Sequence, residues 1–292
     1  MVAKLAPLVV IVGETASGKS SLGMYLAKKF DGEIVAADSW TVRQDVNIGT
    51  AKPTKQEQTE IPHHMLDVVP ACGDYTAALF KEQALEVIND LSNRVKLPIM
   101  VGGTGLYVDS VIFDYSFLDD TNNHYDREEL NDMTLKELIE YAKNKNLPLE
   151  RIDTRNKRRV IRLIETDGGE PTKQAMRGNT LVIGIQTSRD YLANRVRERT
   201  EKMIEQGLED EVRKLADKYG WDCEALKGIG YIEWQEFFEG NQSLEETKER
   251  IISNTNKLAK RQRTWFKRNK SIHWINQQSE AVELVTTLLS KS

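Results

Sequence analysis

A chain of 292 residues, 39% hydrophobic and 29% charged, has the length for one large or two small domains and the composition of a globular protein. Those proportions exclude a disordered or fibrous chain, and no apolar run reaches the length needed to span a bilayer. The 41 basic and 45 acidic residues leave a net charge of −4, so any basic surface must be local.

In chain order, Lys4 and the run LAPLVVIV faintly imitate a signal peptide. The run is short and feeds directly into a loop that cleavage would destroy, so a cytoplasmic enzyme is expected. That loop is GETASGKS: Gly13, four residues, then Gly18, Lys19 and Ser20, followed by the helix-like SSLGMYLAKKF. It is the Walker A pattern in its required order of strand, loop and helix. Glycines let backbone N–H groups turn toward an anion, the helix N-terminus adds its positive end, and Lys19 adds a charge. Ser20 is then placed to ligate Mg²⁺, and the loop as a whole is expected to hold a phosphate or diphosphate.

The runs EIVAAD (33–38), HHMLDV (63–68), PIMVGG (98–103) and LVIGIQ (181–186) read as further buried parallel strands. YTAALFKEQALEVINDL (75–91) has helical periodicity, and the alternation predicts an α/β fold: a phosphate-loop parallel sheet flanked by helices. Asp38 and Ser39 close the second strand, where a carboxylate can act on Mg²⁺ through water, serve as general base, or simply cap a helix. The fourth strand ends in VGGTGLY, without the aspartate that nucleotide-hydrolysing relatives of this fold carry there. Its glycines permit close backbone approach, and Thr104 offers a hydroxyl to a phosphate or to a helix start. His63 and His64 are adjacent, so on a strand they point to opposite faces and cannot chelate one metal; His124 and His273 have no ligand-spaced neighbours. Cys72 and Cys223 lack zinc or disulfide-framework spacing and are expected to be reduced, buried thiols.

Residues 117–178 hold helical patterns and no convincing strand, which predicts a helical insertion between 1–116 and 179–292. One long charged helix is expected over 189–220, another through 244–269, then a short strand, SIHWI, and a closing helix. Two stretches are densely basic: RIDTRNKRRVIRLIE, with Arg151, Arg155, Lys157, Arg158, Arg159 and Arg162, and NKLAKRQRTWFKRNK, with Lys257, Lys260, Arg261, Arg263, Lys267, Arg268 and Lys270 around Trp265 and Phe266. Such density is costly in self-repulsion unless phosphates relieve it, which points to nucleic acid.

Ten segments in order over almost the whole chain, among them GETASGKS, AADS, NIGTAKPT (47–54), IPHHMLDV (61–68), PIMVGGTGLYV (98–108), RNKRRVIRLIE (155–165), GIGYIEW (228–234) and LAKRQRTWF (258–266), resemble bacterial tRNA dimethylallyltransferases. The resemblance implies transfer of a dimethylallyl group from dimethylallyl diphosphate to N6 of the flipped adenine at tRNA position 37, 3′ of the anticodon, with Mg²⁺ as cofactor. It implies Asp38 and Thr104 as catalytic, and Gly13, Thr15, Ala16, Ser17, Gly18, Lys19, Ser20 and Arg199 as diphosphate-binding, with Ser20 on the metal. Arg195, one turn before Arg199, is the alternative. Ser39, Trp40, Thr41, Arg158, Arg159, Arg162, Lys260 and Arg261 are implied to bind tRNA, the insertion holding the anticodon stem-loop of a monomeric, membrane-free enzyme. The chain departs from the family pattern at Thr41, Arg43 and Asp45, implied to lie near the prenyl and adenine pocket, and at Asn256 and Lys257. Rival readings are an isopentenyltransferase acting on free AMP, ADP or ATP, a small-molecule kinase, and a non-catalytic RNA-binding protein.

Overall fold

The computed structural model describes residues 5–118 and 127–291, so Lys4 and His124 lie outside the described residues. It divides into two compact units, one of Met1–Ile112 with Met176–Ser292 and one of Phe113–Ala175.

The larger unit begins with β1 (Leu8–Val12), α1 (Lys19–Lys29), β2 (Gly32–Ala36), α2 (Lys55–Glu60), β3 (His63–His64), α3 (Ala77–Asn93), β4 (Leu97–Gly102) and α4 (Gly105–Ile112). The inserted unit contributes α5 (Arg127–Asp132), α6 (Leu135–Asn144) and α7 (Lys157–Glu165). The larger unit resumes with β5 (Thr180–Ile185), α8 (Arg189–Glu205), α9 (Leu208–Tyr219), α10 (Trp234–Phe238), α11 (Leu244–Phe266), β6 (Ile272–Ile275) and α12 (Gln278–Ser290).

Its six strands form one parallel sheet in the order β3-β2-β4-β1-β5-β6. Central β1 is fully buried along LVVIV, which is why it reads as a continuous apolar run rather than an alternating one. Leu22 and Leu26 of α1 and Ala281 and Val285 of α12 pack with Val9, Ile11, Ile34, Ile99 and Ile183 of the sheet. In register, Val12 stands beside Gly102 and Gly184, so the loops leaving β1 and β4 emerge together at the carboxyl edge. A second apolar cluster joins Met203, Leu208, Val212, Trp234 and Ile251 of α8 to α11 with Val46 and Tyr231.

Three expectations are corrected. The helix expected over 189–220 breaks at Gly207, whose left-handed φ of 94° ends α8 and starts α9 in a new direction. The strand expected over 63–68 is two residues long, because Met65 and Asp67 turn left-handed immediately after it. Cys72 and Cys223 form a disulfide across 151 residues of chain, Cys72 being exposed, so neither is a free thiol.

In the inserted unit, Leu138 and Ala142 of α6 and Val160, Ile161 and Ile164 of α7 close a small core with Leu130. A Thr134 capping box starts α6 and Asn156 caps α7. Apart from an isolated bridge between Ser116 and Thr172, its described residues contain no strand pairing. Among the described residues no helix is long and apolar enough to cross a membrane.

Candidate active site

The loop between β1 and α1 curls back on itself. Ser17 N–H donates to the Glu14 carbonyl at 3.2 Å, and the Lys19 ammonium donates to the same oxygen at 2.6 Å. Gly18 holds a φ of 95° with nothing within 4 Å of where a Cβ would stand, so backbone conformation and not space demands glycine there. Crowding desolvates the Lys19 ammonium and pulls its pKa down to about 8; Asp38 and Glu14 pull it back up, while Arg199 pushes with the desolvation.

Asp38 lies two residues beyond β2 in a turn, not at a helix start. Its Oδ1 accepts from Trp40 N–H at 2.9 Å and Thr41 N–H at 3.3 Å, which leaves Oδ2 without a hydrogen-bond partner among the described residues. The Thr104 hydroxyl accepts from Ser39 N–H at 3.0 Å and donates to Ser39 Oγ at 3.3 Å, so it locks the Asp38 turn to the loop after β4 rather than capping α4. That lock needs Gly102: a Cβ there would lie 2.0 Å from the Ala37 carbonyl oxygen.

From α8, Arg199 donates to Thr15 Oγ1 at 3.2 Å and to the Thr50 carbonyl at 3.4 Å. Burial lowers its pKa and Asp38 partly restores it. Thr15, Lys19, Ser20, Asp38, Thr41, Arg199 and Gln262 line a cavity of about 140 Å³ whose apolar wall is Ile34, Ala36, Leu66, Val101 and Leu258. A neighbouring cavity of about 70 Å³ shares Thr15, Asp38, Thr50, Arg199 and Leu258 and adds Trp40, Ile229 and Thr255. On the outer side of the phosphate loop, Lys19, Ser20, Arg195, Arg199 and Lys202 surround a third of about 310 Å³. Arg195 therefore faces the outer cavity alone, whereas Arg199 reaches all three.

Several residues that hold the site were missed in the sequence. Gln262 of α11 accepts from Thr15 N–H at 2.7 Å and donates to the Gly103 carbonyl at 3.1 Å. Next to it, Arg263 grips both oxygens of Glu14. Glu211 of α9 accepts from Asn47, Ile48 and Gly49 N–H groups and from the Tyr231 hydroxyl, fixing the NIGTAKP loop. No local spacing signals these pairings.

The residues implied to bind RNA divide. Arg158, Arg159, Lys260 and Arg261 are exposed, while Arg162 is half-buried and donates to Glu165 and the Leu118 carbonyl. Ser39, Trp40 and Thr41 form the Asp38 turn, and the Trp40 ring lies against Gly228, where a Cβ would stand 3.0 Å away. Of the five departures from the family pattern, only Thr41 lines the cavity beside Asp38. Arg43 is buried and donates to the Ala71 and Gly73 carbonyls, its guanidinium 6.0 Å from the Trp40 ring, and Asp45 pairs with Lys218 and the Tyr219 hydroxyl; neither lines that cavity. In the second basic stretch Trp265 is half-buried and donates its indole N–H to Asp109 at 2.9 Å, and Phe266 is buried, which removes Phe266 as a platform for bases. Of the adjacent histidines, His63 faces the cavity and His64 bonds Glu33 at 2.7 Å.

Among the described residues no group of three or more His, Cys, Asp or Glu is placed to cage a metal. The Ser20 hydroxyl and one nearby carboxylate are the donor set that suits Mg²⁺, which keeps waters and takes its other ligands from substrate phosphates.

A family model described as IPP transferase matches residues 42–269. The chain belongs to the IPP transferase family. It is 38% identical over 285 residues to a protein named tRNA dimethylallyltransferase from Anoxybacillus flavithermus, covering 94% of this chain and 92% of that one. A protein of the same name from Geobacillus thermodenitrificans is 38% identical, with 92% and 90% covered. Among solved structures, the tRNA isopentenylpyrophosphate transferase of Bacillus halodurans superposes with a TM-score of 0.76 at 33% identity, covering 98% of this chain and 97% of that one. A eukaryotic dimethylallyltransferase described as acting on tRNA superposes with a TM-score of 0.83 at 25% identity, covering 98% and 80%. In this IPP transferase the cavity at Asp38 and the phosphate loop occupy the carboxyl edge of the sheet, where open parallel sheets bind ligands.

Proposed function

We propose that the protein is a tRNA dimethylallyltransferase: it moves the five-carbon group of dimethylallyl diphosphate to N6 of the adenine 3′ of the anticodon and releases diphosphate. The observation that carries this reading is one cavity bringing a carboxylate with an unpartnered oxygen, Asp38, against the phosphate-loop cation Lys19 and Arg199, beside an apolar wall. A prenyl diphosphate uses both halves of that lining, the cations for its diphosphate and the apolar wall for its five-carbon chain.

In the reaction N6 attacks the allylic carbon, the carbon–oxygen bond breaks, its electron pair leaves with diphosphate, and N6 loses a proton. An exocyclic adenine amine is a weak nucleophile, so a base within reach lowers the barrier, and Asp38 Oδ2 is free to take that proton. Lys19, Arg199 and the loop N–H groups meet the charge that grows on the departing diphosphate. Thr104 acts through its bonds to Ser39, holding the Asp38 turn. Mg²⁺ would be held by Ser20, and by Asp38 through water, and would supply positive charge to the diphosphate oxygens. Ser39, Trp40 and Thr41 border the adenine, while Arg158, Arg159, Arg162, Lys260 and Arg261 take the phosphates of the anticodon stem-loop. Those contacts offset the few kcal/mol that extruding one base costs. From the tRNA substrate we infer a cytoplasmic enzyme.

The test is to supply labelled dimethylallyl diphosphate and Mg²⁺ with unmodified tRNA and AMP together. Label entering tRNA alone is the expected result. Label entering AMP would turn the assignment to free adenylates.

A further inference from the structure

Glu14 places a carboxylate inside the phosphate loop, beside the position where the proposed donor brings its own negative charge. The residue is buried, with 7% of its surface exposed. An unpaired carboxylate at such a point is costly by itself and would repel a diphosphate. The structure answers with Arg263, whose Nε bonds Oε1 and whose Nη2 bonds Oε2 at 2.9 Å, a two-point fork across 249 residues of chain. Glu14 also uses its backbone: its carbonyl accepts the Lys19 ammonium at 2.6 Å and the Ser17 N–H at 3.2 Å. Fixing the Glu14 side chain therefore fixes the oxygen that aims Lys19. Gln262, adjacent on α11, holds Thr15 N–H at 2.7 Å, so two consecutive helix residues pin two consecutive loop residues.

Resting on the diphosphate-donor reading above, we propose that Arg263 and Glu14 are a positioning pair for the diphosphate loop: Arg263 neutralises Glu14 toward the incoming anion and orients the carbonyl that carries Lys19. Arg263 thereby leaves the RNA-contacting set in which its place among basic residues had put it. The pair makes a signed prediction that a general packing role does not. Removing Arg263 alone exposes the loop to an uncompensated carboxylate, whereas removing both charges takes the repulsion away with the attraction.

The experiment is a double-mutant cycle read by calorimetric titration with inorganic diphosphate and Mg²⁺, on full-length wild type, Arg263→Gln, Glu14→Gln and the double variant. Affinities for an anticodon stem-loop RNA are measured in parallel. Arg263→Gln is expected to weaken diphosphate binding by about tenfold or more, since breaking a buried pair leaves an unpaired charge. Glu14→Gln is expected to stay within about threefold of wild type, and the double variant to recover to that level, the non-additivity of residues in contact. RNA affinity stays unchanged throughout. Arg263→Lys, which keeps the charge and loses the fork, is expected to fall between, and serves if the glutamine variant fails to fold. The proposal is overturned if Arg263→Gln binds diphosphate like wild type, if the double variant is as weak as Arg263→Gln, or if RNA affinity falls while diphosphate binding holds. Wild-type protein that binds diphosphate and shows the cycle but transfers nothing to tRNA would refute the proposed reaction and leave the pair standing.

Discussion

Residues 155–162 and 257–268 carry similar densities of Lys and Arg, yet the fold uses them in opposite ways. On α7, Val160, Ile161, Leu163 and Ile164 are buried while Arg158 and Arg159 stand exposed, an amphipathic helix whose cations occupy its polar side. On α11, Lys260 and Arg261 are exposed, but the next two residues turn inward, Gln262 to Thr15 and Arg263 to Glu14, and Trp265 bonds Asp109. A basic run can thus be one exposed cationic surface or a helix whose cations divide between solvent and the interior, and composition does not tell which. Partners do.

The comparison is tested first where the effect is largest. Asp38→Ala removes the one carboxylate that, among the described residues, reaches both inner cavities, and transfer should fall by about 10² to 10⁴ in a single-turnover assay, the range that a general base supplies. RNA affinity should be unchanged; a variant that keeps its transfer rate would show that the base lies elsewhere.

The next effect separates the two stretches. Arg159→Glu and Arg261→Glu should each weaken binding of an anticodon stem-loop and lower the slope of log affinity against log salt by about one per phosphate contact removed, as filter binding across a salt series would report. Arg263→Gln should leave that slope alone. An equal loss for all three would erase the distinction drawn for α11.

Lys19 predicts a pH dependence. Its folded pKa is lowered to about 8 against an unfolded value of 10.5, so the ammonium is lost as pH rises through 8, and KM for the diphosphate donor should climb above that pH. The stability sign is opposite: between 8 and 10.5 the unfolded chain binds the proton and the apo fold does not, so this group adds stability as pH rises across the window. A donor KM flat from pH 7 to 9.5 would contradict the assignment.

The smallest effect concerns the aromatic residue between the cations. Trp265→Phe removes the indole donor to Asp109 and should cost about 0.5–1.5 kcal/mol of stability in denaturant unfolding, the worth of one hydrogen bond, with RNA affinity within error of wild type. Loss of RNA affinity without loss of stability would make Trp265 a stacking platform after all.

How much of this could be read from the chain depends on the range of the contact. The phosphate loop and the strand ends that carry Asp38 and Thr104 were legible because the strand, turn and helix around them are local, and because buried parallel strands write themselves as apolar runs, whereas the catalytic roles of Asp38 and Thr104 were implied by the family resemblance. The role implied for Arg199 came from the family resemblance, while Lys260 and Arg261 were already marked by the charge density of their stretch. What stayed hidden joins distant segments: Gln262 to Thr15 across 247 residues, Glu211 to Ile48 across 163, and Cys72 to Cys223 across 151. The partners of Arg43 and Asp45, at 71–73 and 218–219, were hidden for the same reason, since they enter only through the fold. Gly207 was a local signal of another kind: within a run of helix formers it marked a left-handed break, not a tolerated interruption.

The most direct measurement is to react an unmodified anticodon stem-loop carrying several adenines with dimethylallyl diphosphate, digest it, and locate the added mass by mass spectrometry. The account predicts a single five-carbon addition on N6 of the adenine 3′ of the anticodon, absent with Asp38→Ala. Additions spread over several adenines, or an unmodified RNA with the donor intact, would contradict it.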